Sequence, residues 1–429
     1  MLDYWLTGLV ALGVGLAATG YYRIYLHPLA KFPGPKLAAL SHWYEAYYDV
    51  LKKGQYIFEI ERMHQKYGKQ NISLLPCWKG LLPSVDMAPS VVENPRIHTP
   101  CKPRCFCPIR LSPPVIGHCP LTYFRRAGPI VRIGPNELHI LDSGYYNSLY
   151  NMANRLDKYE WFYSMMGNPM ASFGTISADV HRVRRSALSP FFSTQAVVKF
   201  YPHMQPIVDR LIARMELCAE RDEEIPLFYA YRCLTVDIIS EYAFAHQMRL
   251  LDRADWGRYF YSAWRSLWEL SPTIRQFPFM MDAIMSMPRW MTKLINPRAL
   301  EVVDMFSDID HQTRVLLDSD PETIKAQPHP TVIWELSKSN ALPPSEKTFK
   351  RLAVEANGLV AAGFETTGGT LTLMTYLVLS HPQVHEKLLE ELEEAIPDPS
   401  KIPGASVLEK LPYLFAVVKE SLRYVCSNY

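Results

Sequence analysis

The chain has 429 residues, 48% of them hydrophobic and 21% charged, and a formal net charge of +2. This composition provides for a sizeable core, excludes global disorder and gives no reason to expect a polyanion as partner. Eight cysteines are too few for a disulfide scaffold, but five of them and ten of the 34 prolines are concentrated in residues 69–127.

The N-terminus contains an uncharged, mostly apolar stretch at residues 4–22. At 1.5 Å per residue it spans about 28 Å, close to the thickness of a bilayer core. Aromatic residues flank it, and Arg23 and two lysines follow it, which predicts an anchor with a cytosolic body. We therefore predict a single-pass membrane anchor at residues 1–25 and a proline-rich hinge at 26–37. A cleaved signal peptide is the alternative, disfavoured because no basic residue precedes the stretch.

The periodicity of the remaining chain predicts mostly helices. We expect a helix at 38–67, a β-hairpin at 130–141 and mainly helical structure from 197 onward. Further helices are expected at 351–379, 383–396 and 411–424. The predicted fold class is mainly α with a small β-region.

Three short patterns carry candidate chemistry. In the 351–379 helix, Gly363, Glu365 and Thr366 place an acid and a hydroxyl among small residues that could leave room for a flat ligand; the alternative is a packing seam. His181 and Arg185 are four residues apart and could bind a carboxylate from one helix face, or form a solvated basic face.

The third pattern is a pair of opposite charges, Glu420 and Arg423, three residues apart on a predicted helix. Alone, such a pair is usually a solvated surface contact that stabilises little.

The order and spacing of these patterns resemble the cytochrome P-450 superfamily, the haem-thiolate monooxygenases, of the fungal microsomal, trichodiene-oxygenase-like type. The resemblance rests on the N-terminal segment with its Pro-Gly-Pro, on HRVRRSALSPFF, on AAGFETT, on SHPQVHEKLLEEL and on KESLR. It covers residues 1–68 and 128–424. It implies the cytochrome P-450 fold for a monooxygenase domain at 38–429, preceded by one transmembrane helix.

The resemblance also implies roles for the residues that match the family's motifs. Thr366 and Glu365 would be catalytic, Thr366 in oxygen activation and Glu365 in proton relay. His181 and Arg185 would bind a haem propionate, and Gly363 would leave space for the porphyrin. The haem itself would carry the oxygen chemistry.

The sequence departs from the family at its end. Glu420 and Arg423 would be a structural pair near the proximal face, but the family's axial cysteine loop, which lies well beyond that helix, is absent after Arg423. Cys426 lacks the flanking residues of that loop, and Cys218 and Cys233 are interpreted as buried core cysteines. We expect a domain incomplete at the C-terminus, with no metal ligand in this chain, and inactive as written.

The second departure is the segment at 69–127, which resembles nothing in the family. Our hypothesis is a translated intron, because codons at both of its ends can contain splice signals and its length preserves the reading frame. Residues 425–429 fit the same idea. The rival interpretation is a metal-binding insertion that uses Cys101, Cys105, Cys107, His118 and Cys119, but this spacing is unusual for zinc.

The expected function is oxidation, mainly hydroxylation, of a lipophilic small molecule. A terpenoid or polyketide intermediate of fungal secondary metabolism is the predicted substrate. Electrons would come from NADPH through a membrane-bound NADPH-cytochrome reductase, with the catalytic body on the cytosolic side of the endoplasmic reticulum membrane. No nucleic-acid partner is expected. The alternative is a non-catalytic, membrane-anchored remnant or mis-spliced product that binds no haem.

Overall fold

The computed structural model describes residues 2–67, 129–151, 153–163, 170–399 and 401–426. The chain divides into two compact units, Met1–Met152 and Ala153–Tyr429. The predicted segment at 69–127, with its candidate zinc ligands, lies outside the described residues. The predicted boundaries of the anchor, the hinge and the monooxygenase domain stay predictions.

The first unit consists of short helices and one small sheet. Its elements are α1 (Leu2–Tyr21), α2 (Lys36–Leu40), α3 (Trp43–Ala46), α4 (Tyr56–Tyr67), β1 (Ile130–Gly134), β2 (Glu137–Ile140) and α5 (Tyr145–Leu149). β1 and β2 pair antiparallel, with Ile130 opposite Ile140. The hairpin predicted at 130–141 is confirmed.

The predicted anchor forms a helix whose side chains are exposed along its length. The span that is long and apolar enough to cross a membrane is Tyr4–Leu26, and none of it is buried in the protein. A single π-helical turn, Tyr22–Leu26, continues α1 to the following prolines. This geometry is compatible with a membrane anchor.

The proline-rich segment after α1 is attached to the sheet. The Pro33 carbonyl accepts a hydrogen bond of 2.8 Å from the Arg132 backbone N–H of β1. A Cβ atom at Gly34 would collide with the Arg132 carbonyl, so only glycine fits there. The buried Arg132 guanidinium donates to the carbonyls of Arg23, at 2.9 Å, and Pro135, at 2.7 Å. The backbone on both sides of the prolines is therefore fixed to β1.

The prediction of a single helix at 38–67 is wrong. Ser41 is extended and ends α2, and the chain breaks again after a π-helical turn, Tyr47–Leu51. There Lys53 and Gly54 have φ of 54° and 82°, a left-handed conformation that ends a helix and favours glycine. The apolar residues on which the prediction of one long helix was based are distributed among separate short helical segments.

All regular secondary structure in the described residues of the second unit is helical. Its elements are α6 (Glu160–Tyr163), α7 (Ala178–Leu188), α8 (Thr194–Glu220), α9 (Leu227–Phe244), α10 (Arg258–Glu269), α11 (Ser271–Gln276), α12 (Phe279–Met285), α13 (Arg289–Ile295), α14 (Ala299–Asp318), α15 (Pro321–Lys325), α16 (Val332–Lys338), α17 (Phe349–Ser380), α18 (Pro382–Ala395), α19 (Ala405–Leu408) and α20 (Pro412–Cys426). The prediction of a mainly α fold with a small β-region is confirmed, as are the three C-terminal helices.

The centre of this unit is the packing of α17 against α9. Phe364 of α17 is fully buried and lies 5.0 Å from the ring of Trp264 and 5.9 Å from that of Phe260, centroid to centroid. The Thr235 hydroxyl of α9 donates to the Phe364 carbonyl at 3.0 Å. Two glycines, Gly363 and Gly368, allow the helix backbones to approach this closely.

Gly368 tests this close approach. A Cβ there would lie 2.9 Å from Cγ and 3.1 Å from Cα of Arg232, and backbone cannot move aside easily. We expect Gly368→Ala to lower the free energy of unfolding by about 1–3 kcal/mol, the usual cost of overpacking. Urea denaturation followed by circular dichroism measures it.

Gly358→Ala on the same helix is the matched control. A Cβ there would meet Ala171 Cβ at 3.5 Å, an ordinary contact. It should be neutral or stabilise by up to about 1 kcal/mol through helix propensity. Equal effects of the two substitutions would contradict the close approach at Gly368.

Candidate active site

One face of α17 carries the predicted catalytic threonine. Glu355, Gly358, Ala362 and Thr366 follow one another at spacings of three and four residues, so they form one stripe along the helix. The loop at 170–176 covers the N-terminal part of this stripe, through Ala171 at Gly358 and Ser172 at Glu355. Ala362 and Thr366 are exposed in its continuation.

The Thr366 hydroxyl is held by its own helix. It donates to the Ala362 carbonyl at 3.0 Å, and the Thr370 hydroxyl donates to the Thr366 carbonyl at 2.9 Å. These bonds fix the orientation of both hydroxyls and leave the oxygen lone pairs of Thr366 facing outward. Thr366 can therefore accept a hydrogen bond from a ligand or water on this face.

Glu365 does not share the Thr366 face. It turns toward α9 and forms an ion pair with Arg232, with Arg232 Nη2 at 2.7 Å from Glu365 Oε1 and Nε at 3.3 Å from both oxygens. Arg232 is buried and its guanidinium lies 3.8 Å from the centroid of the Phe228 ring. Sequence reasoning missed Arg232, because its partner lies 133 residues away and no local pattern signals the pair.

Gly363 also faces α9. A Cβ at this position would lie 2.8 Å from Cγ1 and 3.0 Å from Cβ of Ile239. The structure thus gives the glycine a packing role against α9, and its predicted role of leaving space for a porphyrin stays a prediction. The small side chain that the exposed face presents next to Thr366 is Ala362.

His181 and Arg185 lie on α7, one turn apart as predicted. His181 is half-buried and Arg185 is exposed. Burial, Lys158 and Arg185 lower the pKa of His181, and Glu355 opposes them. These electrostatic couplings group three basic side chains, His181, Arg185 and Lys158, which we call the basic group.

Lys158 is a member of the basic group that sequence reasoning missed. Its backbone N–H donates to the Ile176 carbonyl at 2.9 Å, and the neighbouring Asp157 accepts from the Ala178 N–H at 2.8 Å at the start of α7. Its ammonium donates to the Phe173 carbonyl at 2.5 Å, and burial lowers its pKa. The basic group can bind an anionic substituent such as a carboxylate.

A buried charge network lies behind the basic group. Arg184 donates from Nε and Nη2 to the two carboxylate oxygens of Glu346 at 2.7 and 2.9 Å, and from Nη1 to the Thr175 hydroxyl at 2.7 Å. Arg351 contacts both Glu346, at 2.9 Å, and Glu355, at 2.5 Å. Two arginines and two glutamates therefore balance each other's charge.

The network also holds the loop at 170–176. Glu355 Oε2 accepts hydrogen bonds from the Ser172 backbone N–H and hydroxyl, both at 2.9 Å. We define the buried network as Arg184, Glu346, Arg351, Glu355, Ser172 and Thr175. It joins that loop, α7 and the start of α17.

Glu420 and Arg423 pair on α20 as their spacing predicts. Arg423 donates from Nε at 2.8 Å and from Nη2 at 2.6 Å, and both side chains are more than half exposed. The hydrogen bond from Arg423 lowers the pKa of Glu420. Their predicted role near a proximal face stays a prediction.

The two cysteines whose side chains are described are not placed as metal ligands. Cys218 and Cys233 are buried in the core, and burial raises the pKa of Cys233 to about 12. The Cys233 thiol donates to the Trp256 carbonyl at 3.3 Å. Both side chains belong to the hydrophobic core of the second unit, so neither is positioned as the axial ligand of a haem. The Cys426 side chain lies outside the described residues.

Comparison with known proteins decides the family. The Cytochrome P450 family model matches residues 123–427. The chain belongs to the cytochrome P450 family. The P450 monooxygenase sdnE of Sordaria araneosa is 33% identical over 94% of this chain and 68% of its own length. The P450 of the grayanic acid biosynthesis cluster of Cladonia grayi is 32% identical over 96% of this chain and 67% of its own.

A third relative and a solved structure agree. The tryptophan 6-hydroxylase fscE of Fusarium equiseti is 30% identical over 94% of the chain and 67% of its own length. The crystal structure of cytochrome P450 CYP102L1 has a TM-score of 0.55 at 16% identity, covering 70% of this chain and 64% of its own, which shows the fold. The predicted P-450 fold and fungal type are confirmed.

The family fixes the general chemistry. Cytochromes P450 of this fungal secondary-metabolism type are haem monooxygenases that take electrons from a redox partner and act on lipophilic substrates. The relatives do not favour the alternative of a non-catalytic remnant. The basic group has the charge to bind the carboxylates of a haem, and the exposed part of α17 presents a small residue and a hydroxyl, whereas the two described cysteines are buried in the core.

The charge balance of the buried network predicts a pH dependence of stability. The Arg184 hydrogen bond, opposed by burial and aided by Arg351, holds the pKa of Glu346 below its usual range. The unfolded chain therefore takes up a proton at higher pH than the folded one. The stabilisation of the folded state by ionised Glu346 is fully present above the usual pKa of a glutamate, about 4.3. It is lost as the pH falls from there through the lower pKa of folded Glu346.

We expect Glu346→Gln to lower the free energy of unfolding by about 3 kcal/mol at pH 7 and to lose less stability on acidification than the wild type. Urea unfolding at pH 7 and at successive lower pH values measures both quantities. Glu322→Gln, in an exposed pair with Lys325, is the control and should follow the wild-type profile. Parallel profiles for wild type and Glu346→Gln would contradict the assignment.

Proposed function

We propose that this P450 hydroxylates a lipophilic terpenoid or polyketide intermediate of fungal secondary metabolism. The observation that carries the proposal is the stripe on α17. Its N-terminal part is covered by the loop that adjoins the basic group, and its exposed part presents Ala362 and the oriented hydroxyl of Thr366. A flat cofactor with carboxylates at one edge fits such a surface.

The roles of the site residues follow from their chemistry. Haem, when bound, supplies the oxygen-activating chemistry. We propose that His181, Arg185 and Lys158 bind its propionates and that Thr366 orients water at the distal face. Glu365 is proposed to relay protons toward Thr366, which requires its ion pair with Arg232 to open. Glu420 and Arg423 are proposed to act structurally.

The remaining parts of the proposal concern location and electron supply. α1 with the turn that follows it is compatible with an anchor in the endoplasmic reticulum membrane. The electron donor that suits such a placement is a membrane-bound NADPH-cytochrome reductase. We propose that neither Cys218 nor Cys233 supplies the axial thiolate, because both are buried in the helical core.

Thr366→Ala tests the site. In the haem-loaded, spliced full-length form of the enzyme, we expect oxygen and NADPH consumption to continue while product formation falls about 10–100-fold, because proton delivery to the site is disturbed. The ratio of product to NADPH consumed is the measurement. Thr372→Ala, whose hydroxyl makes the same kind of bond to Gly368 at 2.7 Å, is the control and should stay coupled. Unchanged coupling in Thr366→Ala would remove the proposed role.

We also propose that residues 69–127 are encoded by a retained intron. The family resemblance resumes at residue 128, and the family model matches from residue 123 onward, near that boundary. We expect sequencing of mature transcripts to show that most lack this segment and join Gly68 directly to Pro129 through a glycine codon. Transcripts that uniformly retain it would refute the proposal.

A further inference from the structure

The buried network connects the basic group to the covered, N-terminal part of the stripe on α17. Arg184 lies on α7 between His181 and Arg185 in sequence, but it is buried and points to Glu346. α7 therefore presents His181 and Arg185 on one face, while Arg184, about a quarter of a turn away around the helix, anchors α7 to Glu346. The position of the basic group depends on what holds Arg184.

The second attachment is the loop at 170–176. Ser172 gives its backbone N–H and its hydroxyl to Glu355, and Arg351 Nη2 donates to the same hydroxyl at 3.4 Å. The Thr175 hydroxyl accepts a hydrogen bond from Arg184 and donates one to the Ala171 carbonyl at 2.8 Å. The loop thus contacts α7 and α17 through one set of bonds, and it leads into the N-cap of α7 at Ser177.

Glu355 interacts electrostatically with His181 of the basic group. Glu355 is the acidic residue that offsets the effects of burial, Lys158 and Arg185 on His181. It is itself buried, with a 5% exposed side chain, and its position is fixed by Ser172 and Arg351. Eleven residues separate Glu355 from Thr366 along α17, about 16 Å at 1.5 Å per residue. The single helix α17 therefore sets the distance between Glu355 and Thr366.

We infer that Glu355 and Ser172 are positioning residues for carboxylate binding by the basic group, acting through the buried network. This inference rests on the proposed function, in which the carboxylates are haem propionates. Neither residue is proposed to touch haem or substrate. Loss of either would let α7 shift relative to α17 and weaken carboxylate recognition without removing a basic residue.

The experiment compares hemin with its dimethyl ester, which lacks the carboxylate charges, as probes of the full chain. The wild type should prefer hemin. Ser172→Ala and Glu355→Gln should reduce this preference about tenfold, the effect of one charge-assisted hydrogen bond. Ser172→Thr keeps the hydroxyl, so this variant should retain the wild-type preference for hemin. Absorbance titration measures both affinities.

The control is Glu301→Gln, which breaks a bidentate pair with Arg253 of comparable geometry outside the network. It should reduce stability but leave the preference for hemin unchanged. A similar loss of preference in Glu301→Gln and Ser172→Ala would overturn the inference, because general destabilisation would then explain both.

A second readout needs no cofactor. With carbon-13-labelled histidine, the imidazole of His181 is titrated by NMR in the cofactor-free chain, with assignment from His181→Gln. We expect Glu355→Gln to lower the pKa of His181 and Ser172→Ala to shift its resonance, while Glu301→Gln changes neither. An unchanged His181 in both network variants would overturn the inference. Equal affinity of the wild type for hemin and ester, with His181 responding, would instead contradict the propionate role in the proposed function.

Discussion

The close approach of α9 and α17 is the constraint on which the second unit depends. Glycine at 363 and 368 removes the side chains that would hold the helices apart, and Phe364 fills the core between them. Once this face of α17 is committed to α9, the helical period assigns the remaining faces. Glu365 meets Arg232, while Ala362 and Thr366 point outward. The packing of α17 against α9 therefore determines which residues the candidate site exposes.

The buried network shows why charges are tolerated inside this unit. Burying one unpaired carboxylate or guanidinium is costly, but two of each share hydrogen bonds and leave no net charge. The bonds are directional, so they also fix geometry: a bidentate arginine allows one relative orientation of α7 and the segment before α17. Apolar packing of equal area would permit sliding that these bonds resist.

Sequence reasoning predicted the elements with strong periodicity and the local pairs. The long helix around Thr366, the hairpin and the spacing of His181 and Arg185 all depend on residues close in the chain. It missed partners that the fold brings together: Glu365 with Arg232, and Ser172 with Glu355, are 133 and 183 residues apart. It also missed the close approach of Gly363 to Ile239, since a sequence does not show which helix face packs against a neighbouring helix. The break at Gly54 had a local signal that the apolar pattern obscured.

The attachment of the proline-rich segment to β1 has a mechanical consequence. The Arg23 guanidinium bonds to the Leu40 carbonyl, Arg132 bonds to the Arg23 carbonyl, and Gly34 lies directly on the strand. These bonds fix the backbone that follows α1 to the sheet of the first unit. A tilt of α1 is transmitted to the hairpin as it would be along a rigid arm, so the angle of this helix in a bilayer would set the angle at which the first unit faces the lipid headgroups.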